Sequence, residues 1–134
     1  MLRKGNLLIV DDNLALLEVL KDELSPLADQ VFLAHDGYEA IRRLSNDSIH
    51  CIVCDYDMPR MNGMEVLRIV RSRGQQLPFI FYTGQDSYPL IVEAARYKAF
   101  ALLHKPDQER LAQIVSQGLN LGLSEWQKNP SYVV

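Results

Sequence analysis

The sequence predicts an α/β fold, a doubly wound parallel sheet of five strands built from five β-α repeats. Three observations predict it. Five short apolar runs alternate with five longer segments of helical periodicity. The runs are apolar on both faces, as strands of a parallel sheet covered by helices must be. Capping and turn residues punctuate the junctions, so successive elements are short and sharply bounded.

The first run is Leu7-Leu8-Ile9-Val10, and Asn13 then caps a helix carrying Leu17, Leu20 and Leu24, ended by Ser25-Pro26. The second run is Val31-Phe32-Leu33-Ala34. Gly37 opens a shorter helix with Ala40, Ile41 and Leu44. The third run starts at Ile49 and ends at Cys54. Asn62-Gly63 precedes a helix with Met64, Leu67 and Val70, which Gly74 terminates. The fourth run is Phe79-Ile80-Phe81-Tyr82. Asp86 or Ser87 caps the next helix, with Pro89 in its first turn and Ile91, Ala94 and Ala95 within it. The fifth run is Ala99-Phe100-Ala101-Leu102-Leu103. Asp107 opens the last helix, with Leu111, Ile114, Val115, Gly118 and Leu121 on one side, and its glycines Gly118 and Gly122 predict fraying toward the end. The expected domain therefore spans 1–122. Residues 123–134 lose periodicity and read as a tail or the start of a linker, with Trp126 able to pack back on the body.

The chain has 134 residues, enough for one domain with a real core. A formal net charge of -3 gives no basic footprint for direct nucleic-acid binding. No apolar stretch approaches the roughly 20 residues that span a bilayer. The N-terminal segment does not read as a signal peptide, so a cytoplasmic location without membrane partners is expected. Cys51 and Cys54 form a Cys-x-x-Cys, but in a strand their side chains point to opposite faces, so both read as buried structural thiols. His35, His50 and His104 have no ligand spacing and read as surface or edge residues.

In a parallel sheet every strand ends on the same edge, so the residues after each run are neighbours. Asp11 and Asp12 follow the first run, Asp55 the third, Thr83 and Gly84 the fourth, and His104-Lys105-Pro106 the fifth. Asp12-Asn13 alone is explained by capping, and Lys105-Pro106 alone by a turn. Three carboxylates, a hydroxyl and an ammonium at four strand ends of one sheet are not. Clustered carboxylates repel unless a cation relieves them. Mg²⁺ suits such a set because it favours oxygen ligands and keeps waters; Mn²⁺ is the alternative. Asp12 and Asp55 are the natural direct ligands, Asp11 binds directly or through water, and the backbone carbonyl of Asp57 is a further ligand. The free oxygen of Asp55 can attack phosphorus to form an acyl phosphate, with Lys105 and Thr83 taking up phosphoryl oxygens and Gly84 leaving space.

Val10-Asp11-Asp12-Asn13, Asp55 with Met58-Pro59 and Asn62-Gly63, Tyr82-Thr83-Gly84 and Lys105-Pro106 resemble the receiver domain of two-component response regulators. The resemblance covers about residues 5 to 122 and implies a flavodoxin/CheY-like (βα)₅ sheet of order 2-1-3-4-5. It implies phosphoryl transfer to Asp55 from a sensor histidine kinase or a histidine phosphotransfer protein. It also implies slow self-dephosphorylation, a self-catalysing substrate more than a turnover enzyme, and a downstream effector protein or domain as reader. A homodimer through the fourth helix, fifth strand and fifth helix is a further option the family offers. The chain departs from the family at Leu102, where an aromatic usually swings inward on phosphorylation. By alternation Phe100 shares the strand face of Leu102, and the signal is expected to leave through Thr83 and the loop after it. Lys98-Ala99 stands where the family often has Gly-Ala, which alters the turn before the fifth strand. Asp57 and Gln85 flank the site at positions that tune phosphoryl lifetime in the family.

Two rival readings follow. Asp55-Tyr56-Asp57 with Thr83 and Lys105 also resembles the haloacid-dehalogenase-type phosphatases, although that family puts its nucleophile on the first strand and its acidic pair last. A degenerate receiver used as a phosphorylation-independent interaction module is the other, argued from Leu102 alone.

Overall fold

The computed structural model describes residues 2–85 and 87–128. Among these, five strands and five helices alternate: β1 (Asn6–Val10), α1 (Leu14–Leu24), β2 (Gln30–Ala34), α2 (Gly37–Asn46), β3 (Cys51–Cys54), α3 (Gly63–Ser72), β4 (Phe79–Thr83), α4 (Tyr88–Arg96), β5 (Ala101–His104) and α5 (Gln108–Lys128). All pairings are parallel and the order is β2-β1-β3-β4-β5. Because the chain reverses direction across the sheet after β2, crossovers of the usual right hand put helices on both faces and bury the central strands between two helical layers. Every residue of β1, β3 and β4 is buried, whereas edge strands β2 and β5 are partly exposed.

Strand alternation divides the core. Leu8, Val10, Ile52, Cys54, Phe79 and Phe81 face a cluster with Leu44, Met64, Leu67, Val70 and Leu90 of α2, α3 and α4. Leu7, Ile9, Cys51, Val53, Ile80 and Tyr82 face Leu17, Leu20, Leu111, Val115 and Leu119 of α1 and α5. Cys51 and Cys54 therefore lie on opposite faces, both free and buried, with burial pushing both thiols up and the charges of Asp55 and Asp11 adding to the shift at Cys54.

The helix starts follow the capping residues. Asn13 accepts from the Leu16 amide, Asp36 from Glu39, and Ser87 from Leu90. Asn62 and Glu65 form a reciprocal capping box on α3. Asp107 accepts from the Arg110 amide at the start of α5. Of the two caps considered for α4, Ser87 is the one formed; Asp86 lies outside the described residues. At the end of α4, Lys98 adopts φ 58, the left-handed conformation that glycine takes most easily. Its amide bonds the Ala95 carbonyl, while Arg71 holds the Tyr97 and Lys98 carbonyls.

Three readings of the sequence need correction. The fifth strand begins at Ala101, so alternation does not extend back to Phe100, which packs with the α1/α5 cluster while Leu102 packs with the other. His50 is fully buried, not at the surface. Gly118 and Gly122 do not fray α5; the helix runs on through Lys128 with Leu123 buried, so the described part of 123–134 continues it. A Cβ on Gly122 would overlap the His50 carbonyl oxygen, and one on Gly118 would crowd the Cys51 sulfur. The glycines let α5 lie directly on the start of β3.

His50 Nδ1 accepts from the Asn6 amide at 2.9 Å, which leaves the proton on Nε2. That nitrogen is buried without a hydrogen-bond partner, and the ring of Trp126 meets the imidazole edge-to-face at 5.4 Å. Arg3 lies over the other ring of this pair, 5.1 Å from the Trp126 centroid. Burial lowers the His50 pKa below 6.5, the Arg3 charge lowers it further and Asp29 opposes.

Two expected outcomes follow from this packing. An exposed helical Gly→Ala change stabilises by up to about 1 kcal/mol. Gly122→Ala reverses that sign and lowers stability by about 1–2 kcal/mol in denaturant titration, because the methyl meets backbone. For His50, the unfolded chain binds a proton that the folded chain refuses. Its contribution to stability therefore falls as the pH drops through 6.5 toward the folded value. His50→Asn, which keeps an acceptor for Asn6, flattens the stability difference between about pH 7.5 and about pH 5.5, read as unfolding midpoints.

Candidate functional site

The C-terminal ends of β1, β3, β4 and β5 deliver the predicted residues to one edge. Asp55 extends β3, its amide bonded to the Val10 carbonyl at 2.9 Å, and it is 7% exposed. Asp11 extends β1 in the same way, its amide on the Ala34 carbonyl, and is 2% exposed. Asp12 is exposed beside it. One oxygen from each of Asp11, Asp12 and Asp55 lies within 4.8 Å of the others.

Lys105 joins this cluster across the sheet. Its amide bonds the Thr83 carbonyl at 3.0 Å, which fixes where the side chain leaves β5. Its Nζ donates to Asp11 Oδ2 at 2.6 Å and lies 3.3 Å from Asp55 Oδ2. Burial alone pulls the ammonium toward neutrality. The hydrogen bond it donates to Asp11 and the charges of Asp11 and Asp55 together outweigh it, so the pKa stands above 10.5 and the side chain is a cation.

The other predicted residues surround this centre at different depths. Thr83 is fully buried, and its Oγ1 accepts from the Gln85 amide at 3.1 Å. Gln85 in turn reaches Asp57 Oδ2 at 3.4 Å, a link across the mouth of the site that the sequence did not disclose. A Cβ at Gly84 would meet nothing within 4 Å, so the space beside Thr83 is open, though not because glycine is required. Leu102 is half-buried, paired with Phe81 and packed on the α2–α4 side. Gly63 proves indispensable for a reason the sequence concealed. Its amide bonds the Tyr56 carbonyl, and a Cβ there would overlap the carbonyl oxygen of Asp55. The first turn of α3 thus sits directly against the strand end that carries Asp55.

The donor set fits a hard divalent cation, since all three groups are carboxylates. Asp11 already accepts from the Asn13 amide on Oδ1 and from Lys105 on Oδ2, so only its remaining lone pairs are left for an ion or its waters. Asp12 and Asp55 are less committed. A separate cavity of about 520 Å³, lined by Arg71, Pro78, Lys98, Phe100 and Leu121, opens at the opposite end of the strands and does not touch these carboxylates.

A parallel 2-1-3-4-5 sheet with acidic residues after β1 and β3, a hydroxyl ending β4 and a lysine after β5 defines a phosphoryl-accepting signalling domain. The profile of the response regulator receiver domain matches residues 7–116, and the chain belongs to that family. Over 81 residues it is 43% identical to the response regulator MprA of Mycobacterium ulcerans (strain Agy99), covering 60% of this chain. The chain spans 35% of that relative's length. Among solved structures it is similar to the signal receiver domain of an HD domain-containing protein from Pseudomonas fluorescens Pf-5. That match has a TM-score of 0.84 and 26% identity, covering 91% of this chain and 99% of the other. A response regulator receiver domain protein (CheY-like) from Methanospirillum hungatei JF-1 aligns with a TM-score of 0.81 and 26% identity, covering 90% and 98%. These likenesses do not favour the phosphatase reading, and Asp55 follows the third strand, not the first. Among the described residues no helix is long and apolar enough to cross a membrane.

The close approach of α3 gives a direct test of the site's construction. Gly63→Ala is expected to lower stability by at least about 2 kcal/mol, since the methyl meets rigid backbone. Denaturant titration measures it, and amide chemical shifts of Asp55 and Tyr56 should move with it.

Proposed function

We propose that Asp55 accepts a phosphoryl group from a phosphohistidine on a sensor kinase or a histidine phosphotransfer protein. The observation that carries this reading is the single ammonium of Lys105 set 3.3 Å from Asp55 and 2.6 Å from Asp11, with Asp12 beside them. An oxygen of Asp55 forms a bond to phosphorus as the phosphorus–nitrogen bond breaks, and the donor imidazole leaves with a proton. Lys105 exchanges part of its hold on the carboxylates for the incoming phosphoryl oxygens. Thr83 turns its hydroxyl from the Gln85 amide toward the same group. Mg²⁺, or Mn²⁺, held by Asp12, Asp55, Asp11 and the Asp57 carbonyl, would neutralise charge on the phosphoryl oxygens. Water attack on the acyl phosphate resets the site slowly, so the chain acts as a self-catalysing substrate. The Asp57–Gln85 link stands where it can restrict that water.

The signal is then read by a downstream effector protein or domain. With Leu102 in place of a swinging aromatic, Thr83 and the loop after it carry the change. A homodimer through α4, β5 and α5 is one form the reader could take. A cytoplasmic location agrees with such a donor and with the lack of a long apolar helix among the described residues.

Two measurements test this reading. Incubation with acetyl phosphate and Mg²⁺ should yield a base-labile phosphoprotein by mass spectrometry, abolished by Asp55→Asn. A wild-type chain that takes up no phosphoryl group would leave only the interaction-module reading. Binding of beryllofluoride with Mg²⁺ should move the amide signals of Thr83 and Gln85 more than that of Leu102. A larger displacement at Leu102 would overturn the proposed exit route.

A further inference from the structure

Tyr82 has an unusual place among the buried side chains. It is 2% exposed and faces the α1/α5 cluster, yet it carries a hydroxyl. A buried phenol needs a partner. Its Oη accepts from the backbone amide of Asp107 at 2.8 Å, across the sheet edge and beyond Pro106. The preceding amide of that connection, on Lys105, bonds the Thr83 carbonyl. Two consecutive residues of β4 therefore grip both sides of Pro106: Thr83 through its backbone and Tyr82 through its side chain. The segment that presents Lys105 is fixed at both ends to the strand that presents Thr83.

The ring contributes separately. Lys105 Nζ lies 6.0 Å from the Tyr82 centroid, at the outer reach of a cation–π attraction. The aromatic face thus walls one side of the ammonium while Asp11 and Asp55 hold the other.

We infer that Tyr82 is a positioning residue for Lys105, aiming its ammonium at the acceptor oxygen of Asp55 through the hydroxyl on Asp107 and the ring beside Nζ. The inference rests on the acceptor reading above. It places the aromatic group that serves this site on β4, on the opposite face of the sheet from Leu102.

Tyr82→Phe keeps the buried ring and removes the acceptor of the Asp107 amide. With Mg²⁺ present, its affinity for beryllofluoride should fall about fivefold, the worth of one hydrogen bond. Affinity for Mg²⁺ alone should not fall, because Lys105 opposes a second cation at Asp11 and Asp55 and loosening its aim removes no metal ligand. In a Lys105→Ala background Tyr82→Phe should have no further effect on beryllofluoride affinity, because the residue acts through the lysine. A purely structural role would lower both affinities together, or act equally in both backgrounds, and either result would overturn the inference. Hydrogen exchange of the Asp107 amide in the wild-type protein keeps the question decidable should the variant not fold. Slow exchange that slows further with beryllofluoride is expected, and unprotected exchange counts against Tyr82. Wild type that fails to bind beryllofluoride overturns the acceptor reading and this inference with it. Wild-type binding that Tyr82→Phe leaves unchanged overturns this inference alone.

Discussion

Three carboxylates packed within 4.8 Å of one another on a half-buried sheet edge repel, and the ammonium of Lys105 makes the arrangement tenable. The lysine's own burial works against its charge, so the pair survives because Asp11 and Asp55 together outweigh that cost. Everything else in the site serves to bring this cation to these anions. The parallel register aligns Val10 with Cys54, so Asp11 and Asp55 leave neighbouring strands at the same height. The pairing of Thr83 with His104 then puts Lys105 one residue beyond the end of β4. The ammonium is held by a hydrogen bond to Asp11 and by the charge of Asp55.

At the opposite end of the sheet the start of β3 is held by close packing. α5 approaches β3 so tightly that only glycine fits at Gly122, and the His50 ring beyond it is enclosed by Trp126 and the Asn6 amide. β3 is thereby clamped at its start by α5 and at its end by the first turn of α3 through Gly63. The strand that carries Asp55 has little freedom to shift along its length. The exposed connections at Gly84-Gln85 and around Asp57 form the mouth of the site.

Much of this was legible from residue order. Apolar runs locate β1, β3 and β4 because those strands are buried on both faces and must be apolar throughout. Asn13, Asn62 and Ser87 mark helix starts because their side chains accept from the exposed first amides. The start of the fifth strand is not legible because Ala99 and Phe100, which precede it, are themselves apolar and pack on the two core clusters. His50 was misjudged because nothing local shows that a helix seventy-odd residues later will cover it. Gly118 and Gly122 carry a low helix propensity, which predicts fraying, and only contact with β3 turns that property into a packing advantage.

The sequence by itself determined the fold class, the strand ends and the identity of the groups that meet there, because hydrophobic period, caps and strand-end chemistry are local properties. Which atoms of those groups face one another was decided by tertiary structure alone. The hold of Lys105 on Asp11, the Gln85–Asp57 bridge, the overlap that reserves position 63 for glycine and the reach of Tyr82 to Asp107 all join residues brought together by folding. Such contacts depend on distances of a few tenths of an ångström between separate strands and loops, and no pattern along one chain encodes them.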